Sequence, residues 1–120
     1  MIRVLVVDNS VSFLAAATEV ILVADGFELA GVAQTGEDAL EFARISRPDL
    51  ALIDLNMPGL DGHETAARMA AESPETVTVV MTAALDRTSV MNGLFDKRLL
   101  SPAALAEIWD RAYVPSVTQR

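Results

Sequence analysis

The run Pro48-Asp49-Leu50-Ala51-Leu52-Ile53-Asp54-Leu55-Asn56-Met57-Pro58-Gly59-Leu60-Asp61-Gly62 decides how the rest of the chain is read. Leu50 to Ile53 is a short apolar stretch behind a proline, which predicts a buried strand and not the continuation of a helix. Asp54 ends that strand, and a loop with one Pro and two Gly follows it. An acid so placed is expected to be exposed and firmly held. A second stretch has the same design, Val4-Leu5-Val6-Val7 followed by Asp8-Asn9-Ser10. If the two strands are parallel neighbours, both carboxylates meet at one edge of a sheet.

Working outward, residues 2–7 read as a strand and Ser10 as the cap of a helix with Val11, Leu14, Ala15, Thr18, Ile21 and Leu22 on one face. Asp25-Gly26 is expected to end it, with Gly26 in the C′ position. A weaker strand spans 28–34, interrupted at Gly31, and a second helix spans 36–44 with Ala39, Leu40 and Ala43 inward. Beyond the Asp54 loop, 63–72 reads as a helix with Ala66, Met69 and Ala70 inward, and Val77 to Met81 as a strongly buried strand ending at Thr82. Residues 85–92 carry little signal beyond one or two helical turns. Residues 93–98 suit a short edge strand, because Asp96 and Lys97 would be costly in a central one. Ser101-Pro102 starts a last helix that buries Leu105, Ile108, Trp109 and Ala112. The tail 114–120 is expected to fray.

Strands alternating with helices predict one α/β domain over residues 1–120, a doubly wound parallel sheet. Ligands of such sheets sit at the carboxyl ends of the strands, so Asp8, Asp54 and Thr82 should share a rim. Two close carboxylates repel and favour a divalent cation, and Mg²⁺ takes hard oxygen ligands. Asp54 could then act as a nucleophile toward phosphorus, with the Thr82 hydroxyl and a cation from Lys97 or Arg98 on the phosphoryl oxygens. Each residue also has a plainer reading: Asp8 as a helix cap, Thr82 as a strand end, Lys97 and Arg98 as surface charges, His63 as a solvated residue of a first helical turn. Their joint order is what favours chemistry.

Composition narrows the classes. The chain is 52% hydrophobic and 22% charged, within the globular range. It has no cysteine, so no disulfide framework or thiolate metal site is expected. No apolar run reaches membrane-spanning length, and the N-terminal residues do not read as a signal peptide. A net charge of −8 argues against direct nucleic-acid binding and for a divalent cation or a basic protein face. A phosphatase with an aspartate nucleophile would need a second acid two residues on, where Asn56 stands. No phosphate-cradling loop follows the first strand, against a flavin protein.

Val4 to Ser10, Pro48 to Gly62 and Val79-Val80-Met81-Thr82-Ala83 together resemble the receiver domain of bacterial two-component response regulators. The resemblance implies a flavodoxin-like five-stranded sheet ordered 2-1-3-4-5. It implies Asp54 as phosphoacceptor, a histidine kinase or phosphotransfer protein as donor, and a downstream effector protein or domain as partner. Asp8, Asn9, Asp54 and the Asn56 carbonyl would hold Mg²⁺, Thr82 would meet the phosphoryl group, and the location would be cytoplasmic with neither membrane nor nucleic acid bound; a homodimer stays open. Two departures stand out. Asn9 replaces a second acid, which implies weaker Mg²⁺ binding. The stretch between Thr82 and the lysine is short, so the family's fourth helix should be shortened or missing. Counting back from Ser101 puts Arg98 at the lysine position, with Phe95 as the switch aromatic, whereas chemistry favours Lys97. The alternative function is a pseudo-receiver, a protein-binding module that works without phosphorylation. The chain would be a stand-alone receiver or a piece cut before an effector.

Overall fold

A computed structural model describes residues 1–84 and 93–112. The elements run β1 (Ile2–Val7), α1 (Val11–Val23), β2 (Phe27–Ala33), α2 (Gly36–Ser46), β3 (Leu50–Asp54), α3 (Gly62–Glu72), β4 (Val77–Thr82), β5 (Phe95–Asp96), a single 3-10 turn (Lys97–Leu99) and α4 (Pro102–Ala112). All strand pairs are parallel and the order is β2-β1-β3-β4-β5, the doubly wound order expected of a flavodoxin-like sheet.

Strand alternation sorts the core into two layers. Val4, Val6, Leu50 and Leu52 pack with Leu14, Ala17 and Ile21 of α1 and Leu105 and Ile108 of α4. Leu5, Val7, Ala51 and Ile53 pack on the other face with Ala39, Leu40 and Ala43 of α2 and Met69 of α3. Both central strands are buried on both sides, which is why they read as unbroken apolar runs and not as alternating ones.

Several expectations need correction. α1 turns Leu14, Ala17 and Ile21 inward and leaves Val11, Ala15 and Leu22 exposed. Its sequence is apolar all round, so periodicity alone does not select a face. Ala24 caps it in an extended conformation, its N–H donating to the Ile21 carbonyl; Gly26, at φ +84°, forms the turn into β2 instead. In α3 the inward residues are Thr65 and Met69, Ala66 is half-buried and Ala70 is exposed; the Thr65 hydroxyl is satisfied locally by the Asp61 carbonyl, which lets it sit on the buried face. β4 is fully buried only at Met81 and Thr82. Its partner β5 pairs only at Met81↔Phe95 and Thr82↔Asp96, so the start of β4 lacks a neighbour on that side among the described residues. Trp109 and Ala112 are half-buried, not buried. The interruption at Gly31 is a register shift between β1 and β2. The expectations for 85–92, including the shortened fourth helix of the resemblance, and for the tail 114–120 lie outside the described residues.

Candidate functional site at the carboxyl rim of the sheet

The strand register brings the acids together. Val7 lies opposite Ile53, so one further step sets Asp8 beside Asp54. Asp54 lies opposite Met81, and Thr82 lies opposite Asp96. All the strand-end residues singled out from sequence therefore occupy one rim.

Local structure holds each of them. Asp8 donates its backbone N–H to the Ala33 carbonyl at 3.0 Å, and its Oδ1 accepts the Ser10 N–H at 2.8 Å. Ser10 caps α1 through the Phe13 N–H. The Leu55 N–H donates to Met81 at 2.7 Å, and the Gly62 N–H returns to the Leu55 carbonyl at 2.9 Å. A side chain at Gly62 would collide with the Asp54 carbonyl oxygen, so glycine is what lets α3 start against the end of β3. Asp61 caps α3 by accepting the Glu64 N–H.

Lys97 completes the rim. Its Nζ lies 2.7 Å from Asp8 Oδ2 and 3.3 Å from Asp54 Oδ1, and 4.8 Å from the centroid of the Phe13 ring. Arg98 goes elsewhere. Its Nε and terminal nitrogen grip Asp96 at 2.9 and 2.7 Å, and its backbone N–H bonds the same carboxylate. Of the two cations left open by sequence, Lys97 is therefore the one beside the acids. Lys97 is also the sole lysine of the chain, against seventeen Asp and Glu. That count was a signal available in the sequence.

Asp54 differs from the exposed acid expected. It is 4% exposed and Asp8 is 0% exposed, because Lys97 lies across both. The cover is a long side chain that keeps 15% of its own surface open. Burial raises the Asp54 carboxyl above its ordinary range and the Asp8 charge raises it further, opposed by the Lys97 ammonium and the Asn56 N–H. For Lys97, burial favours the neutral amine, but the Asp8 hydrogen bond and the two carboxylate charges outweigh it and the pKa is raised.

Thr82 is buried, and its Oγ accepts the Ala84 N–H at 3.1 Å, which leaves the hydroxyl proton to donate. Asn9 and Asn56 are exposed. Among the described residues no three His, Cys, Asp or Glu side chains are grouped to hold a metal. The donor set is still hard oxygen: two carboxylates that share one ammonium, with neutral asparagine oxygens beside them in sequence. It fits a divalent cation that keeps several waters. Phe13 was missed from sequence: it lies off the face of α1 that periodicity singled out.

The comparisons with known proteins bear on this rim. The chain is 45% identical over 79 residues to a protein-glutamate methylesterase/protein-glutamine glutaminase of Anaeromyxobacter dehalogenans, covering 66% of this chain and 23% of that protein. It is 37% identical over 82 residues to the response regulator GacA of Pseudomonas aeruginosa, covering 68% of this chain and 38% of GacA. The chain thus spans well under half the length of these curated relatives. The response regulator domain of Thermotoga maritima CheB superposes with a TM-score of 0.79 over 96% of this chain and 99% of that domain, at 23% identity, which speaks to fold. No helix among the described residues is long and apolar enough to cross a membrane. With the family model for the response regulator receiver domain matching residues 4–97, over the same rim that carries Asp8, Asp54, Thr82 and Lys97, the chain belongs to the response regulator receiver domain family.

Proposed function

We propose that the chain is a phosphorylation-dependent switch in which Asp54 accepts a phosphoryl group from a histidine kinase or phosphotransfer protein. The observation that carries this reading is the pairing of Asp8 and Asp54 on one ammonium at the strand ends. An Asp54 carboxylate oxygen attacks phosphorus; the new O–P bond forms as the P–N bond to the donor imidazole breaks, and its electron pair leaves with the imidazole. Lys97 swings from the carboxylates to a phosphoryl oxygen, and Thr82 turns its hydroxyl proton toward another. Asp8, Asp54 and the oxygens of Asn9 and Asn56 would hold Mg²⁺, which when bound supplies charge neutralisation at the phosphoryl oxygens. The surface around β4, β5 and α4 then passes the change to a downstream effector, in a cytoplasmic setting.

Incubation with a small acyl phosphate and Mg²⁺, read by intact mass, tests this. Addition of one phosphoryl group, lost completely in Asp54→Asn, is the expected result. The exposed Asn9, in place of an acid, favours a second reading: a protein-binding module that works without phosphorylation. An unmodified wild-type chain at saturating donor would favour that module.

A further inference from the structure

Lys97 reaches the acids from an unpromising base. β5, which precedes it, has only two residues, and Lys97 itself opens a single 3-10 turn. So short a strand fixes little of the direction of a four-carbon side chain. Two contacts supply what the strand does not. Behind Lys97, the Asp96–Arg98 pair ties the turn to the end of β5 through three hydrogen bonds. In front, the Phe13 ring faces the ammonium at 4.8 Å, within cation–π range, and packs against the α1/α4 core layer. Phe13 lies on the first turn of α1, whose cap Ser10 is itself bonded to Asp8. Ring and carboxylate therefore belong to one rigid unit.

We propose that Phe13 is a positioning residue for the sole lysine of the chain: its ring face, together with Asp8, holds the Lys97 ammonium at the mouth of the carboxylate pair. The aromatic face attracts the cation without offering a proton acceptor, so it directs Lys97 without competing for the hydrogen bonds it must exchange. When the ammonium moves toward a phosphoryl oxygen, the ring keeps it at the rim. The role of Phe13 in phosphoryl uptake rests on the reading of Asp54 given above; its hold on Lys97 does not.

Because the chain has one lysine, an amine-acylating reagent has only Lys97 and the N-terminus to modify. Site-specific replacement of Phe13 by 3,4,5-trifluorophenylalanine keeps the shape of the ring and removes its negative face. Expected is an increase of about three- to tenfold in the rate of Lys97 acylation, read by peptide mass spectrometry against the N-terminal amine as internal standard. Phe13→Leu should raise the rate at least as much, and Phe13→Trp should return it to the wild-type value or below. Equal rates in the wild-type and trifluoro chains, with unchanged circular dichroism and melting temperature, would overturn the proposal. A second arm measures phosphoryl uptake from an acyl phosphate with Mg²⁺: the trifluoro chain should need a higher donor concentration for half-maximal rate. If the wild-type chain takes up no phosphoryl group while the labelling rates change as expected, the Asp54 reading fails and the Phe13 assignment stands.

Discussion

The two ends of the central strands are built oppositely. At the amino end, Arg3 gives its guanidinium to the Ser46 carbonyl at 2.6 Å, the Ser46 hydroxyl at 2.6 Å and the Arg47 carbonyl at 3.3 Å, while its backbone N–H meets Asp49 Oδ2 at 2.8 Å. Thr76 closes onto the Pro48 carbonyl at 2.7 Å. Here cation, acid and hydroxyl are all directed at backbone and loop ends, so the polar groups seal the sheet. At the carboxyl end, two carboxylates that are nearly or wholly buried share one ammonium. That end keeps a net negative charge that no described residue neutralises. The difference teaches where the molecule places structure and where it keeps an unfinished electrostatic balance: a sealed end closes a fold, an unbalanced end is ready for a cation or a transferable group.

Perturbing each end should separate these roles. The largest effect on stability is expected from Lys97→Met, which leaves Asp8 and Asp54 without a counter-charge; Arg98 does not replace Lys97 while Asp96 holds it. Loss of the buried partner should cost about 3 kcal/mol in urea unfolding without metal. Added Mg²⁺ should raise the melting temperature more in this variant than in wild type, because the cation takes over the neutralising role. A variant as stable as wild type would mean that the rim carries no strain of charge.

At the sealed end, Arg3→Ala should cost about 2 kcal/mol through lost charge-assisted hydrogen bonds, with phosphoryl uptake and Mg²⁺ response unchanged. A change in uptake would break the division between the two ends. Asn9→Asp adds an acid to the open end and should tighten Mg²⁺ binding by on the order of tenfold, read by calorimetry; unchanged affinity would place Asn9 outside the ligand set.

The smallest effect is in pH dependence. Asp54 is raised above its ordinary value of 3.8, so above that pH the native chain keeps a proton that the unfolded chain has released. Its contribution to stability therefore falls as pH rises from about 3.8 through the raised native value. Asp54→Asn should remove this term, so its stability gain over wild type grows across that window. Lys97 acts on the alkaline side: its contribution is full below 10.5 and is lost as pH rises through its raised native value.

Much of the fold was open to reading along the chain. Val4 to Val7 and Leu50 to Ile53 each end in an acid, and strand alternation then fixes on which side of the sheet each residue lies. The register adds the one fact that alternation lacks, that Asp8 and Asp54 are level with each other. α1 was less readable because ten of its thirteen residues, Val11, Phe13, Leu14, Ala15, Ala16, Ala17, Val20, Ile21, Leu22 and Val23, are apolar. Its inward face depends on what the sheet and α4 present to it. For the same reason Phe13 was invisible as part of the site: its partner lies in another element, 84 positions along the chain.

By itself, the amino-acid sequence determined the alternating elements, the acid at the end of each central strand and the shortage of lysine, because these depend on local periodicity and composition. The tertiary structure decided which cation faces the acids, how deeply Asp54 is covered and which ring stands over the ammonium. Those choices turn on contacts distant in sequence: Asp96 captures Arg98, and that leaves Lys97 to cross the sheet edge to Asp8. Neighbouring residues compete for partners in space, and the outcome of that competition is set only when the strands and helices have packed.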